Sequence, residues 1–218
     1  DNHDSNVSPF GPDYLDELGK GYIILGKSLG SNSTIDLSDA DYSFVGEYEE
    51  DALDHISIAG DVDNDGLDDI LMGAPGNDDA GDRSGKAYLV LGASLGSSPS
   101  IDLSNADYSF HGEYDYDRLS YVSDLGDIDR DGLDDFVLGT WRNEDGGENA
   151  GKMYVILGSS LGTSGTFDLT ESDYFFLGNE GDVVSTTSKV GDINGDGIID
   201  ILIGASSNDD NADNAGKV

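Results

Sequence analysis

Residues 44–75 read FVGEYEEDALDHISIAGDVDNDGLDDILMGAP, and two similar stretches follow at a spacing of 66 residues. The second, FHGEYDYDRLSYVSDLGDIDRDGLDDFVLGTW, starts at Phe110, and the third, FLGNEGDVVSTTSKVGDINGDGIIDILIGAS, starts at Phe176. Self-similarity at a long, fixed period indicates a repeat architecture in which each unit packs against its neighbours. The chain is therefore predicted to be an array of similar units.

The pattern of each unit predicts four short β-strands. In the first complete unit we predict strands at residues 55–60, 69–74 and 86–92, and a fourth within 101–112. The second and third strands are nearly continuous apolar runs bounded by Gly and Asp, which indicates strands buried on both faces. Four-stranded units that are buried on both faces and repeated along the chain predict an all-β fold, a β-propeller of four-stranded antiparallel blades.

The repeat divides the chain into two whole units and two partial ones. We predict a partial blade with the third and fourth strands at residues 1–43, whole blades at 44–109 and 110–175, and a partial blade with the first and second strands at 176–218. Propellers generally have at least four blades. Three explanations follow: a fragment of a longer chain, an incompletely ordered chain, or a ring completed by another chain. The sequence stops where a third strand should begin, which favours a fragment or an incompletely ordered chain.

Charge and composition restrict the partners. The formal net charge is −36, and so acidic a surface repels phosphates, so we expect no nucleic-acid partner and no membrane insertion. No run of the sequence approaches the ~20 apolar residues of a membrane-spanning helix. The absence of cysteine excludes disulfides and thiolate metal ligands. Asn6 and Asn32 lie in glycosylation sequons, which matter only in a eukaryotic secretory context.

An acidic loop with the pattern Asp-x-(Asp/Asn)-x-Asp-Gly-x-x-Asp joins the first two strands of each unit. Alternate residues on a tight loop can point carboxylates inward, the glycine permits the turn, and the seventh residue can offer its carbonyl. Oxygen ligands without His or Cys favour Ca²⁺ over Zn²⁺ or copper, and Mg²⁺ prefers octahedral sites that retain water. We predict about three calcium ions. Their ligands are Asp61, Asp63, Asp65, Leu67 and Asp69; Asp127, Asp129, Asp131, Leu133 and Asp135; and Asp192, Asn194, Asp196, Ile198 and Asp200.

Two other interpretations of these loops are weaker. An EF-hand has a bidentate Glu at position twelve and flanking helices, but here that position is apolar in all three loops and the flanks are strands. A solvated acidic turn that binds no metal would explain one such loop, but it explains three loops at equivalent positions of the repeat less well. Asp68 and Asp134 are extra carboxylates, replaced by Ile199 in the third loop, and we predict that both face solvent and bind no metal. The third loop has one carboxylate fewer and is expected to bind more weakly.

The combined pattern resembles the FG-GAP repeat of integrin α-subunit propellers and their bacterial relatives. In the first unit, residues 44–46, 61–69 and 73–75 carry the motif; the later units have Gly-Thr-Trp and Gly-Ala-Ser in place of Gly-Ala-Pro. The resemblance covers residues 44–218 clearly and 1–43 in part. It implies a seven-bladed ring, of which this chain supplies about three blade equivalents, with calcium in the loops on one face.

The resemblance also implies a position for the partner. In integrin-like propellers the ligand meets the face opposite the calcium loops, formed by the second-to-third and fourth-to-first strand connections. Here those connections carry Tyr48, Tyr114, Tyr116, Trp141 and Arg142. An exposed aromatic side chain can anchor a protein or a glycan. Packing of Trp141 between blades is the alternative.

We see no catalytic motif. The histidines His3, His55 and His111 do not occupy equivalent repeat positions, and no Gly-x-Ser-x-Gly elbow occurs. We therefore expect that this chain is not an enzyme, and the expectation does not extend to a longer parent chain. The first hypothesis is a calcium-binding extracellular or cell-surface propeller that mediates adhesion or protein or glycan recognition. The alternatives are a non-catalytic propeller module of a secreted hydrolase or lyase, and a structural subunit of a surface filament or matrix that self-associates through its incomplete terminal blades.

Overall fold

The computed structural model describes residues 19–30, 34–96, 98–163, 165–209 and 216–217. Part of the predicted 1–43 unit, the two sequon asparagines and His3 lie outside these residues. Regular structure in the described ranges consists of β-strands and short 3₁₀ turns, with no helix long and apolar enough to cross a membrane.

Fourteen strands run through the described residues. They are β1 Lys20–Ile23, β2 Tyr42–Val45, β3 His55–Gly60, β4 Asp69–Ala74, β5 Lys86–Val90, β6 Ser100–Asp102, β7 Tyr108–His111, β8 Leu119–Gly126, β9 Asp135–Thr140, β10 Lys152–Ile156, β11 Gly165–Phe167, β12 Tyr174–Leu177, β13 Val184–Gly191 and β14 Asp200–Ala205. The 3₁₀ turns are Gly26–Ser28, Leu37–Asp39, Gly92–Leu95, Leu103–Asn105, Gly158–Ser160 and Leu169–Glu171.

The strands form four sheets, named here I to IV in chain order. Sheet I has the order β1-β2-β6, sheet II β11-β7-β5-β4-β3, sheet III β12-β10-β9-β8, and sheet IV β13-β14. In sheet II, β3, β4, β5 and β7 form an antiparallel series, and β8, β9, β10 and β12 do the same in sheet III. The all-β fold and the four-stranded antiparallel units are thus confirmed.

The strand predictions for the first complete unit agree with the structure. β3 and β4 have the predicted bounds, β5 lies within 86–92, and β7 lies within 101–112. Every residue of β4, β5, β9 and β10 is buried, which confirms that the inner strands are covered on both faces. β7 crosses the repeat boundary between residues 109 and 110, and the division of the chain into domains remains a prediction.

One feature of the topology is absent from the sequence prediction. β6 pairs in parallel with β2, and β11 pairs in parallel with β7. The connection between the third and fourth strands of each of these units therefore reaches back and extends the outer edge of the preceding sheet. These contacts, together with face-to-face packing, hold successive sheets side by side.

The apolar core lies between neighbouring sheets. Its largest cluster includes Leu71 and Phe110 from sheet II and Phe136 and Tyr154 from sheet III, all fully buried. The rings of Phe110 and Phe136 meet edge to face, with centroids 5.7 Å apart. Edge-to-face aromatic pairs are worth about 0.5–1.5 kcal/mol beyond their buried area. The acidic loops therefore connect the ends of strands that are held in place by the packing of neighbouring sheets.

Candidate metal centre

The first acidic loop connects β3 to β4, and equivalent loops connect β8 to β9 and β13 to β14. The glycine at the sixth position has a left-handed backbone in each loop, with φ of +89° at Gly66, +95° at Gly132 and +81° at Gly197. Side chains adopt this region at a cost that glycine avoids. The fourth position is left-handed as well, at Asn64 and Arg130. These two reversals coil each loop tightly enough to turn alternate side chains inward.

The coiling gathers the carboxylates of the first loop. Oxygen atoms of Asp61, Asp63 and Asp65 lie within 4.8 Å of one another. The backbone N–H of Asp65 donates to Asp61 Oδ1 at 3.0 Å and to Asp63 Oδ1 at 3.1 Å, and Gly66 N–H donates to Asp61 Oδ2 at 3.0 Å. Three of the predicted ligands are therefore held in one cluster by the loop's own backbone.

The second loop repeats the arrangement. Here oxygen atoms of Asp127, Asp129 and Asp135, at the first, third and ninth loop positions, lie within 4.8 Å of one another. Asp131 N–H donates to Asp127 Oδ1 at 3.1 Å and to Asp129 Oδ1 at 3.0 Å, and Gly132 N–H donates to Asp127 Oδ2 at 3.0 Å. The equivalent hydrogen bonds agree to 0.1 Å between the loops. Similar spacing in sequence thus produces similar geometry.

The ninth residue of these two loops is the buried member of the set. Asp69 accepts N–H groups from Val62 at 2.9 Å and Gly92 at 2.8 Å, and Asp135 accepts the equivalent N–H groups of Ile128 at 2.8 Å and Gly158 at 2.9 Å. Burial, together with the neighbouring loop carboxylates, raises the pKa of Asp69 and that of Asp135 to about 6. A buried carboxylate beside others is unfavourable unless a cation compensates it.

The third loop has the same backbone with a weaker donor set. Asp196 N–H donates to Asp192 Oδ1 at 3.0 Å and to Asn194 Oδ1 at 2.8 Å, while Asn194 Nδ2 donates to Asp196 Oδ2 at 3.0 Å. Arg130 of the second loop reaches this loop, since a Cβ atom on Gly197 would lie 3.1 Å from its guanidinium. An amide ligand and a nearby positive charge both reduce attraction for a metal ion.

The donor sets fit a hard cation. Carboxylate oxygens line all three loops, and the third loop adds the amide oxygen of Asn194. The N–H of the seventh residue in each loop donates to the aspartate at the fifth position at 2.8–2.9 Å; the seventh residues are Leu67, Leu133 and Ile198. Such oxygen-only sets suit Ca²⁺ rather than the softer transition metals. The acidic clusters could hold a divalent cation. The full ligand sets, including the seventh-residue carbonyls, remain predictions.

Contrary to the prediction, the side chain of Asp134 contacts the first loop instead of facing solvent. The backbone N–H of Asp61 donates to Asp134 Oδ2 at 2.9 Å, and the N–H of Asp134 donates to the carbonyl of Asp61 at 3.0 Å. The second loop thus holds the first ligand of the preceding loop. Asp68, at the same position in the first loop, is exposed as predicted, and its side chain has no hydrogen bond within the described ranges. In the third loop Ile199 packs near Gly126 instead.

We expect Asp134→Ala to lower the free energy of unfolding in calcium by about 1–3 kcal/mol, because the Asp61 N–H loses its partner. Asp68→Ala removes the same charge from the same loop position without breaking a contact. Its free energy of unfolding should stay within about 0.5 kcal/mol of that of the wild type. Urea unfolding in excess calcium measures both. Equal effects of the two substitutions would show that the bond between the loops contributes nothing.

The opposite ends of the sheets carry buried polar contacts that sequence reasoning missed. Lys86 Nζ lies 2.7 Å from both Glu47 and Asp79, and Lys152 makes the equivalent contacts with two carboxylates. Asn77 Nδ2 donates to buried Asp51 at 3.0 Å, and the next repeat has an equivalent Asp–Asn pair. The recurrence of these residues every 66 positions is the signal that would have found them. They fix the connections on the face opposite the metal loops.

The predicted partner residues lie on these connections. Tyr48 and Tyr114 are each 56% exposed, and Tyr116 is 41% exposed. Trp141 is half-buried, because the guanidinium groups of Arg142 and Arg118 lie 4.6 and 5.5 Å from its ring centroid. The ring is therefore partly covered by its own neighbours, and the two guanidinium groups contribute to the surface at this point.

A cleft of about 710 Å³ opens beside these side chains. Tyr114, Tyr116 and Arg142 line it together with carboxylates that include Glu144 and Glu148, whereas Tyr48 and Trp141 are not among its lining residues. Because β4 is antiparallel to β3 and β5, the metal loops lie at one end of the sheets and this cleft at the other. The structure thus brings three of the five predicted residues into one concave surface.

Repeated four-stranded antiparallel sheets, each with an acidic loop between its first two strands, define a propeller-type blade array. The FG-GAP repeat family profile matches residues 56–90. The chain is 28% identical over 202 residues to integrin alpha-5 of Xenopus laevis (88% of this chain, 18% of that protein) and 30% identical over 173 residues to integrin alpha pat-2 of Caenorhabditis elegans (73% and 13%). It is also 26% identical over 197 residues to phosphatidylinositol-glycan-specific phospholipase D of Dictyostelium discoideum (81% and 19%).

The chain is FG-GAP and integrin α-like, and its fold is of the β-propeller class. These comparisons confirm the resemblance seen in the sequence. It spans less than a fifth of the length of these relatives. Activities and partners of the whole relatives therefore enter only as proposals.

Proposed function

We propose that this chain is the calcium-binding part of an extracellular or cell-surface propeller that mediates adhesion by recognising a protein or glycan. The observation that supports it is the cluster of inward-turned carboxylates in two successive loops, with a third loop of the same backbone, in a chain similar to integrin α subunits. The proposal includes a seven-bladed ring and blades bounded at residues 1–43, 44–109, 110–175 and 176–218.

Calcium would be held by the predicted aspartates, by Asn194 and by the seventh-residue carbonyls. When bound, the ion supplies positive charge that offsets carboxylate repulsion. Asp61 and Asp65 orient the loop by accepting hydrogen bonds from backbone N–H groups. Buried Asp69, the first residue of β4, ties the loop to Gly92 by accepting the N–H groups of Val62 and Gly92. In this proposal the metal stiffens one end of each sheet and supports the partner face at the other end.

The partner face in this proposal comprises Tyr48, Tyr114, Tyr116, Trp141 and Arg142. Exposed tyrosines combine a large apolar ring with a polar tip, a combination that is enriched at recognition surfaces. The cleft gives such a partner a concave surface on which to dock. In this function the chain binds its partner and catalyses no reaction.

A second candidate function follows from one comparison. Similarity to a phosphatidylinositol-glycan-specific phospholipase D over 81% of this chain favours a non-catalytic propeller module of a secreted hydrolase. In that case the partner face would hold a catalytic domain or its substrate, and the calcium loops would have the same supporting role.

Binding to arrays of extracellular-matrix proteins and glycans, with and without EDTA, tests the first proposal. We expect calcium-dependent binding that weakens at least about tenfold in a Tyr114→Ala/Tyr116→Ala variant. Tyr22→Ala, which removes another partly exposed tyrosine away from the cleft, should bind as wild type does. The absence of calcium-dependent binding to any probe on either array would overturn the adhesion proposal.

A further inference from the structure

Three of the four arginines of the chain gather at one junction, together with its only tryptophan. The guanidinium groups of Arg142 and Arg118 lie 4.6 and 5.5 Å from the ring centroid of Trp141. Arg83 belongs to the preceding connection, where its carbonyl accepts the N–H of Arg118 at 3.1 Å. These four residues are called here the arginine cluster. In a chain of net charge −36, they concentrate positive charge at one point of the surface.

The repeat shows that the fold does not need these side chains. Equivalent positions in the other units hold small or uncharged residues, which are Ala52 and Val183 for Arg118, Asn149 for Arg83, and Gly76 and Ser207 for Arg142. The backbone is nevertheless the same, with φ of +52° at Ala52, +55° at Arg118 and +51° at Val183. The connections therefore form without a guanidinium group, and the arginines require another explanation.

The guanidinium groups of the cluster have no anionic partner among the described residues. None of them forms an ion pair there, and the Nε atoms of Arg118 and Arg142 are buried without a hydrogen-bond partner. Burial and the charges of Arg142 and Arg83 lower the pKa of Arg118. Asp82, whose charge also acts on Arg118, accepts the hydroxyl of Tyr116. Half-buried like charges without a partner are unfavourable, and a bound anion would compensate them.

The cluster suits a single small anionic group. A guanidinium group presents paired N–H donors that match the two oxygens of a carboxylate, and contact with an aromatic ring holds it in place. An extended polyanion is disfavoured, because the carboxylates of Asp115, Glu144 and Glu148 line the adjoining cleft and repel it. The ligand expected at this point therefore carries one carboxylate among neutral or basic groups.

The surroundings favour a protein over a glycan as the source of this carboxylate. Two guanidinium groups already lie against the ring of Trp141, which leaves less of its face for a sugar. Tyr114, Tyr116 and Arg142 line the cleft beside it. Tryptophan, tyrosine and arginine are the residues that contribute most often to the energy of protein–protein binding.

We propose that the arginine cluster binds the carboxylate of an isolated Asp or Glu side chain of a protein partner. Arg118 and Arg142 donate to its oxygens, Arg83 adds positive charge, and Trp141 holds two of the donors. The inference rests on the partner face of the proposed function and names the chemical group that this face recognises. All four residues lie between β4 and β10, in the interior of the described chain, so the site is compatible with a ring of further blades.

The fluorescence of Trp141 reports on the cluster directly, because the chain has no other tryptophan. The full 218-residue chain in excess calcium is titrated with the neutral-ended peptide acetyl-Ser-Ala-Glu-Ala-Ser-amide and with the same peptide carrying Gln in place of Glu. We expect saturable binding of the Glu peptide with a dissociation constant of about 1 mM, and binding of the Gln peptide that is at least about tenfold weaker. Equal titrations with the two peptides, or no response to either, would overturn the inference.

Variants that copy the equivalent repeats test the arginines. Arg118→Ala reproduces Ala52 and Arg142→Ser reproduces Ser207, so both should fold, and each should bind the Glu peptide at least about tenfold more weakly. Arg130→Gln removes the fourth guanidinium group, which lies in the second acidic loop, and should bind as wild type does. NMR line broadening of the peptide gives a readout that does not depend on Trp141.

The melting temperature in excess calcium separates binding from support of the fold. Both arginine variants should melt within about 4 °C of wild type. Purely structural arginines would give the opposite result, a larger fall in melting temperature with unchanged peptide binding, and that result would overturn the inference.

Two further comparisons identify the source of the carboxylate and the proposal at fault. The methyl glycoside of N-acetylneuraminic acid carries one carboxylate on a sugar, and tighter binding of this glycoside than of the Glu peptide would overturn the choice of a protein partner. Peptide binding by a chain that binds no matrix probe would reject only the adhesion proposal. Adhesion that is unchanged in Arg118→Ala and in Arg142→Ser would reject only this inference.

Discussion

Removal of calcium is expected to lower the melting temperature of this chain by about 8–16 °C. At about ten times the dissociation constant, one bound ion adds about 1.4 kcal/mol to the free energy of unfolding, so three independent sites add about 4 kcal/mol. For a domain of this size, each kcal/mol corresponds to about 2–4 °C in melting temperature. The total is a large part of the ~5–15 kcal/mol that stabilises a typical domain.

The geometry of the loops explains why the calcium-free chain should be weakened. The carboxylates of Asp61, Asp63 and Asp65 are held within 4.8 Å of one another by backbone hydrogen bonds and cannot move apart without uncoiling the loop. Burial and these neighbours also raise the pKa of Asp69, which means that its ionised form is disfavoured when no cation is near. A bound cation would offset both costs.

Differential scanning calorimetry in excess calcium and in EDTA measures the shift, and returning calcium should restore the original melting temperature. An Asp63→Asn/Asp129→Asn variant changes one carboxylate in each of the first two loops. It should lose about two thirds of the calcium-dependent rise in melting temperature. Magnesium at the same concentration should stabilise less, because Mg²⁺ requires nearly ideal octahedral geometry and gives up its water ligands reluctantly, whereas Ca²⁺ accepts a larger and less regular set of oxygen ligands. A melting curve that is identical in EDTA and in calcium would reject the metal assignment.

The sequence predicted well what depends on local pattern. Apolar runs identified β3, β4 and β5 almost to the residue, and the spacing of acidic residues identified the clusters of the first two loops. These features depend on residues close together in the chain, where strand periodicity and loop coiling act directly.

Contacts between repeats were harder to predict. Asp134 bonds to a residue 73 positions earlier, and β11 pairs with a strand 57 positions earlier. Neither partner can be read from spacing, because the packing of adjacent sheets decides which groups meet. The environment of Trp141 has the same origin, since Arg118 reaches its ring from a different connection.

The second large effect is expected from a substitution at Gly73, where neighbouring sheets approach each other closely. Gly73 of the Gly-Ala-Pro motif lies in β4 against the backbone of β8, and a Cβ atom there would lie 1.9 Å from the carbonyl oxygen of Ser120. Backbone cannot rotate away as a side chain can, so Gly73→Ala must separate sheets II and III. We expect a loss of about 3 kcal/mol or more, the upper end for overpacking.

The equivalent Gly139 provides the matched control, because the next sheet does not approach it in the same way. A Cβ atom at Gly139 would meet the Met153 side chain, with its sulfur at 2.5 Å. Methionine has several rotatable bonds and can adjust, so Gly139→Ala should cost less than about 1.5 kcal/mol. Urea midpoints in excess calcium, with the slope compared between variants, measure both losses. If the two alanine variants unfold at the same urea concentration, the glycine of the motif is not explained by the approach of β8, and the sheets are less tightly apposed at Gly73 than the structure places them.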